Sequence, residues 1–149
     1  MLGASAAGDN PQPGRGKIRQ PAFGCTTLQR MPIMIRDKII ANSSEFLRPG
    51  EQVQEVAGGQ TLNGWLGGIF LFFNRFRAVM ATDQRILVLD CGKMRMGDPK
   101  SVVAEFPRNT KIGPTKGLWW KCTTLGEKFY VHRRFHKDID KMDQLAGLA

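Results

Sequence analysis

The fold of this 149-residue chain is decided by the stretch Phe76-Arg77-Ala78-Val79-Met80-Ala81-Thr82-Asp83-Gln84-Arg85-Ile86-Leu87-Val88-Leu89-Asp90. Two apolar runs rich in β-forming residues flank the polar tetrapeptide at 82–85. This pattern is typical of two antiparallel strands joined by a tight turn. The stretch therefore predicts a small β-rich scaffold with a core filled by side chains, and it predicts no reaction.

Further β-prone segments surround this hairpin, and turn-forming Gly and Pro residues separate them. Besides the hairpin strands at 76–82 and 85–90, strands are predicted at residues 52–56, 66–73, 102–106, 118–123 and 128–132. The apolar run at 65–73 is much shorter than the about 20 residues of a membrane-spanning helix, and we interpret it as a buried strand.

Amphipathic stripes predict one helix before the strands and one helix after them in the chain. The first covers residues 34–47 and ends at Pro49-Gly50. The second covers residues 134–148, where apolar side chains are spaced by four, three and three positions at Phe135, Ile139, Met142 and Leu145. The predicted fold class is mostly β, α+β by content, and a small antiparallel barrel or sandwich closed by its terminal helix fits it.

A flexible extension is predicted for residues 1–33, because the Pro- and Gly-rich segment at 10–16 has no apolar periodicity. An over-extended gene start is the alternative, since Met31 and Met34 stand where the ordered pattern begins. Residues 34–149 form the predicted domain. The first 30 residues contain no apolar core of a secretory signal, and three scattered cysteines favour a reducing cytoplasm: Cys25, Cys91 and Cys122.

Two segments resemble bacterial pleckstrin-homology-like (PH-like) domains. The strand-turn-strand at 79–89 is similar to their "TDRR" strand pair, with Gln84 where the family often carries a second Arg. Leu47-Arg48-Pro49-Gly50-Glu51 resembles the "L-x-P-G-E" lead-in to the first strand, and residues 103–114 and 126–136 are similar to uncharacterised actinobacterial members. The resemblance covers residues 34–146 and implies a bent sheet of about seven antiparallel strands capped by the C-terminal helix. Eukaryotic relatives often bind phosphoinositides or peptides, but a fold does not determine a function.

Charge points to anionic partners. The chain has a net charge of +9, and residues 93–141 hold twelve basic and five acidic side chains. Nucleic acid, anionic lipid headgroups and acidic protein surfaces all attract such a segment, and the alternative is a solvated basic face that only keeps the protein soluble. The candidate residues for binding an anion or a partner are Lys111, Lys116, Trp119, Lys121, Arg133 and Arg134.

No set of residues predicts catalysis, a metal site or a cofactor. His132 and His136 are four residues apart but have no third ligand, and no Ser lies in a GxSxG motif. The loop at 113–117 lacks P-loop spacing; its amides, with Lys111 and Lys116, offer a single-phosphate cradle as an alternative to a plain basic turn. Asp83 is expected to form the turn, and Arg85 to pair with Asp83 or to reach an outside anion.

The predicted function is a non-enzymatic binding or scaffold module that docks a protein partner or assembles with itself. An exposed sheet edge would accept a partner strand. The first alternative is peripheral binding of anionic lipid headgroups, favoured by the Trp119-Trp120 pair among basic residues, and the second is nucleic-acid binding. A cytoplasmic location, at or away from the inner face of the membrane, fits all three.

Overall fold

The computed structural model describes residues 30–62 and 73–148. Within them the chain forms α1 (Arg30–Asn42), β1 (Val53–Gln60), β2 (Phe76–Thr82), β3 (Arg85–Gly92), β4 (Ser101–Pro107), β5 (Trp119–Cys122), β6 (Phe129–His132) and α2 (His136–Leu145). Single 3-10 turns occupy Ser44–Phe46 and Arg133–Phe135. The prediction of a mostly β protein with a helix before and after the strands is confirmed. None of the helices in these ranges combines the length and apolar character needed to cross a membrane.

The six strands of the described ranges form one open antiparallel sheet in the order β4-β3-β2-β1-β6-β5. The predicted hairpin is its centre, where Val79 is paired with Val88 and Met80 with Leu87. A closed barrel of about seven strands is not confirmed. The strand predicted at 66–73 lies outside the described residues except for Phe73, which is in an exposed turn.

Both faces of the central hairpin are buried, because successive side chains of a strand point to opposite sides. On one face Val79 and Val88 pack in the same apolar cluster as Ile139 of α2. On the other, Met80 and Leu87 pack with Ile39 of α1. Because the side chains on both faces of the hairpin are apolar, each face is covered by a helix.

The helix boundaries differ from the predicted ones. α1 begins at Arg30, inside the predicted extension, and ends at Asn42, where the buried Ser43 hydroxyl donates to the Ile39 carbonyl. The rest of the predicted extension lies outside the described residues. α2 begins at His136 because the Arg134 amide donates to His132 Nδ1 and the chain first makes a 3-10 turn.

Ion pairs join both helices to β1. Arg36 of α1 pairs with Asp138 of α2 and lies 3.7 Å from Glu55 of β1, and Lys141 of α2 lies 2.6 Å from the same glutamate. The helices reach this edge of β1 because β6 pairs only with the last two residues of β1. These ion pairs thus fix the positions of α1 and α2 relative to the sheet.

Candidate functional site

The two motifs that carry the family resemblance meet in a buried ion pair. Arg85 donates from Nε to Glu51 Oε1 at 2.8 Å and from Nη2 to Oε2 at 2.9 Å. Thr82 Oγ1 and the Arg48 amide also donate to this carboxylate, at 2.7 and 2.8 Å. These bonds, that from Arg85 foremost, lower the pKa of Glu51 to about 2. The expectation that Arg85 pairs with Asp83 or faces an outside anion is therefore wrong, since its side chain is buried against Glu51.

The hairpin turn is held by Thr82 and Asp83 in different ways. Thr82 Oγ1 accepts hydrogen bonds from the amides of Gln84 at 3.2 Å and Arg85 at 3.0 Å, as a turn-forming residue does. Asp83 Oδ1 instead accepts from the Gln52 amide at 2.9 Å, in the segment that leads into β1. The side chains of Thr82, Asp83 and Arg85 therefore all bond within the chain.

Two amides of the loop after β4 bond to a side chain of α2. Asp143 of α2 accepts from the Ile112 amide at 2.9 Å and from the Gly113 amide at 2.8 Å. Of the predicted cradle at 113–117, the Gly113 amide is thus already bound by a carboxylate of the chain itself. Lys111 and Lys116 are exposed on the same loop, and the choice between a phosphate cradle and a plain basic turn stays a prediction.

Replacing Asp143 with alanine is expected to lower the free energy of unfolding by about 2–3 kcal/mol, because a buried amide loses its charged acceptor. Urea denaturation measures the loss. The matched control is Asp140→Ala, since Asp140 is exposed and bonds only the Thr115 hydroxyl at 3.2 Å; we expect it to change stability by about 0.5 kcal/mol or less. Equal losses in the two variants would contradict the assigned role of Asp143.

A pocket of about 230 Å³, here called the Trp119 pocket, opens where β1, β5 and the turn before α2 meet. Gly58 and Gly59 form its floor, and Phe76, Met96 and Phe135 form its apolar walls. A methyl group at Gly58 would collide with the Met96 sulfur and lie 3.0 Å from the Phe135 ring. The close approach of these two side chains therefore requires glycine in the strand.

The rim of the Trp119 pocket is aromatic and rich in hydrogen-bond donors. It consists of Gln60, Trp119, His132 and Arg134. The Trp119 and His132 rings make an edge-to-face contact at 4.8 Å, and the Arg134 guanidinium lies 4.7 Å from the centre of the Phe135 ring. Burial, with nearby Arg134 and His136, lowers the pKa of His132, so the ring is neutral at pH 7. Since His132 Nδ1 accepts from the Arg134 amide, the ring proton is on Nε2.

Of the six predicted site residues, the structure brings Trp119 and Arg134 together in this pocket. Arg133 is exposed next to it, and its amide donates to the Leu118 carbonyl at 2.8 Å. Lys121 is exposed opposite Tyr130 on the β5–β6 hairpin, and the two loop lysines do not line the pocket. Gly58 was not predicted at the site, because the strand predicted at 52–56 continues as β1 through Gly58 and Gly59 to Gln60. The pair of glycines was the available signal for a close packing contact.

Both cysteines of the described residues are buried. Burial raises the pKa of the Cys91 thiol to about 12 and also raises that of Cys122, so both thiols are protonated at neutral pH. Within residues 30–62 and 73–148 no group of three His, Cys, Asp or Glu side chains is arranged to hold a metal ion. What the Trp119 pocket provides is an apolar cavity with donors at its rim.

Comparison with known proteins identified no relative: no family model, curated protein or solved structure matches the chain. The PH-like resemblance therefore depends on the quoted motifs. Inside the chain, those motifs are linked by the contact between Glu51 and Arg85. What the Trp119 pocket can bind therefore follows from its own geometry.

Proposed function

We propose that the chain is a non-enzymatic binding module of PH-like fold that docks a segment of a protein partner in the Trp119 pocket. The observation that carries this proposal is the pocket itself, which joins an apolar cavity to the aromatic and cationic side chains of Trp119 and Arg134. Sites for small molecules and cofactors usually measure about 300–1,000 Å³. A cavity of about 150 Å³ accepts benzene, so the 230 Å³ present here suit one large side chain of a partner.

The PH-like part of the proposal is supported by two features. The sheet is antiparallel, and the helix that follows the last strand packs on one face of it. In addition, Glu51 of the lead-in motif forms an ion pair with Arg85 of the turn motif. This contact explains why both motifs occur in the same chain.

Strand addition is proposed at β5, one edge of the sheet. A segment paired with β5 would place its side chains next to Trp119. The opposite edge, β4, is less suited, because its register shifts opposite Val88 and Leu89 and it ends at Pro107. Bulges and proline are features that discourage pairing at an edge.

Replacing Trp119 with alanine is expected to weaken peptide binding by about 30-fold, the effect of losing a central aromatic contact. The test selects peptides from a random library on the wild-type chain, then measures their affinity for each variant by fluorescence polarisation. Val103→Ala is the control, because Val103 is 42% exposed on the β4 edge, and it should bind as the wild type does. Failure to select any peptide would refute the proposed function, as would unchanged binding by Trp119→Ala.

Peripheral binding to anionic lipid is the second candidate, and one observation favours it. Leu118 is 59% exposed beside Arg133, with Lys116 two residues earlier. An apolar side chain among cations suits an anionic membrane surface. Flotation with phosphatidylcholine vesicles, with and without phosphatidylserine, tests this candidate; equal recovery from both vesicle types removes it.

A further inference from the structure

We infer that the partner segment is acidic: one apolar side chain enters the Trp119 pocket, and neighbouring carboxylates lie over a second, basic depression next to it. This basic depression has a volume of about 540 Å³ and lies between α1 and the loop after β3. Its lining includes Lys38, Asn42, Arg95, Met96, Gly97 and Asp98. The inference rests on the proposed function and adds the chemistry of the partner.

The two depressions are neighbours because Met96 lines both of them. Its sulfur lies directly over Gly58, at the floor of the Trp119 pocket. A segment that occupies both depressions would therefore contact Met96 between them. Methionine suits such a boundary, because its flexible thioether adapts to different partner side chains.

The two segments that line the basic depression are held together by direct contacts. Asn42 Nδ2 of α1 donates to the Gly97 carbonyl at 2.9 Å, which ties the loop to the helix. A Cβ atom at Gly97 would lie 3.1 Å from Lys38 Cβ, so the two segments are closely packed. A preformed site loses little conformational entropy when it binds.

The charge of this surface is net positive. Lys38 and Arg95 line the basic depression with Asp98 as its one acid, and Arg134 adds a cation at the adjoining pocket. Within the described ranges, none of these three cations is within ion-pair distance of an acid. The buried acids are already used in internal contacts: Glu51, Glu55, Asp90, Asp138 and Asp143. Electrostatic complementarity therefore favours a partner segment that supplies carboxylates and disfavours a basic one.

The test uses the same random peptide library and adds a charge-reversal variant, Lys38→Glu/Arg95→Glu. Peptides selected on the wild type are expected to carry one large apolar residue with acidic residues within a few positions. The variant should bind these peptides about tenfold more weakly and select peptides without the acidic residues, while it keeps the apolar one. Lys100→Glu/Lys128→Glu is the matched control, because it changes the net charge equally at exposed positions outside both depressions.

The outcomes separate this inference from the proposed function. Selected peptides with an apolar residue but no acidic preference would overturn the inference and leave the proposed function standing, as would an equal loss of binding in the control variant. If no peptide is selected but phosphatidylserine vesicles bind the wild type and not Lys38→Glu/Arg95→Glu, the occupant is a lipid surface and both proposals fail.

Discussion

Replacing Arg85 with methionine is expected to lower the free energy of unfolding by about 3–5 kcal/mol, the usual effect of removing one partner of a buried ion pair. The Glu51 carboxylate stays buried after the change and loses two charged hydrogen bonds. Thr82 and the Arg48 amide still bond it, but they supply no positive charge. Urea denaturation at pH 7 measures the loss.

Two variants test whether the buried pair is the cause. Arg48→Met removes an arginine whose side chain is 60% exposed and pairs with Glu105 at the surface, so we expect a loss of about 1 kcal/mol or less. The double variant Glu51→Gln/Arg85→Met should recover a large part of the stability lost in Arg85→Met, because no charge is left buried without a partner. A double variant as unstable as the sum of its single changes would contradict this explanation.

The same ion pair predicts a pH dependence. The pKa of Glu51 falls from 4.5 to about 2 in the folded chain, so the folded state binds this proton less readily than the unfolded state does. The stabilisation from Glu51, about 3 kcal/mol, is therefore fully present above pH 4.5 and is lost as the pH falls toward 2. Comparison of the wild type with Glu51→Gln by urea denaturation between these pH values isolates the effect. A difference in stability that does not shrink on acidification would rule out this assignment.

Replacing Phe129 with alanine is expected to lower the free energy of unfolding by about 3–5 kcal/mol, because it leaves a cavity in the core. Phe129 is completely buried on β6, in the cluster that contains Ile139 and Met142 of α2. Its ring packs so closely on Gly59 that a Cβ atom there would lie 2.8 Å from it. The ring thus connects β1, β6 and α2, and the surrounding backbone has little freedom to close the cavity.

The control for this variant is Phe73→Ala, which makes the same change where the ring is 72% exposed. Phe73 is expected to contribute about 0.5 kcal/mol or less. Thermal unfolding and urea denaturation measure both variants. If both variants lose the same stability, the assignment of Phe129 to the core is wrong.

Local patterns were sufficient to predict most of the secondary structure. The hairpin at 76–90 has an apolar run on each side of a polar turn, and this pattern is visible from neighbouring residues alone. The stripe of Phe135, Ile139 and Met142 likewise predicted the helix that covers one face. The start of α2 was predicted two residues early, because the cap at His132 depends on how the preceding strand ends.

The candidate site was predictable only in part. Trp119 and Arg134 were selected as an aromatic and a cation in a basic segment, and they share the pocket. The sequence could not place Gly58 of β1 and Met96 of the loop after β3 in this pocket. Their proximity to Trp119 depends on the order of the strands in the sheet, which is a long-range property. The partner of Arg85 was missed for the same reason, since Glu51 is 34 residues away along the chain.

Periodicity and composition were enough to predict the mostly β fold class, the central hairpin, the flanking helices and the positive charge, because these properties depend on near neighbours in the chain. Which charges are neutralised depends instead on long-range contacts. These contacts place Glu51 against Arg85 and Asp143 against the loop amides, and they leave Lys38, Arg95 and Arg134 around adjoining depressions. A buried charge requires a partner in space, whereas a surface charge is stabilised by water and remains available for binding.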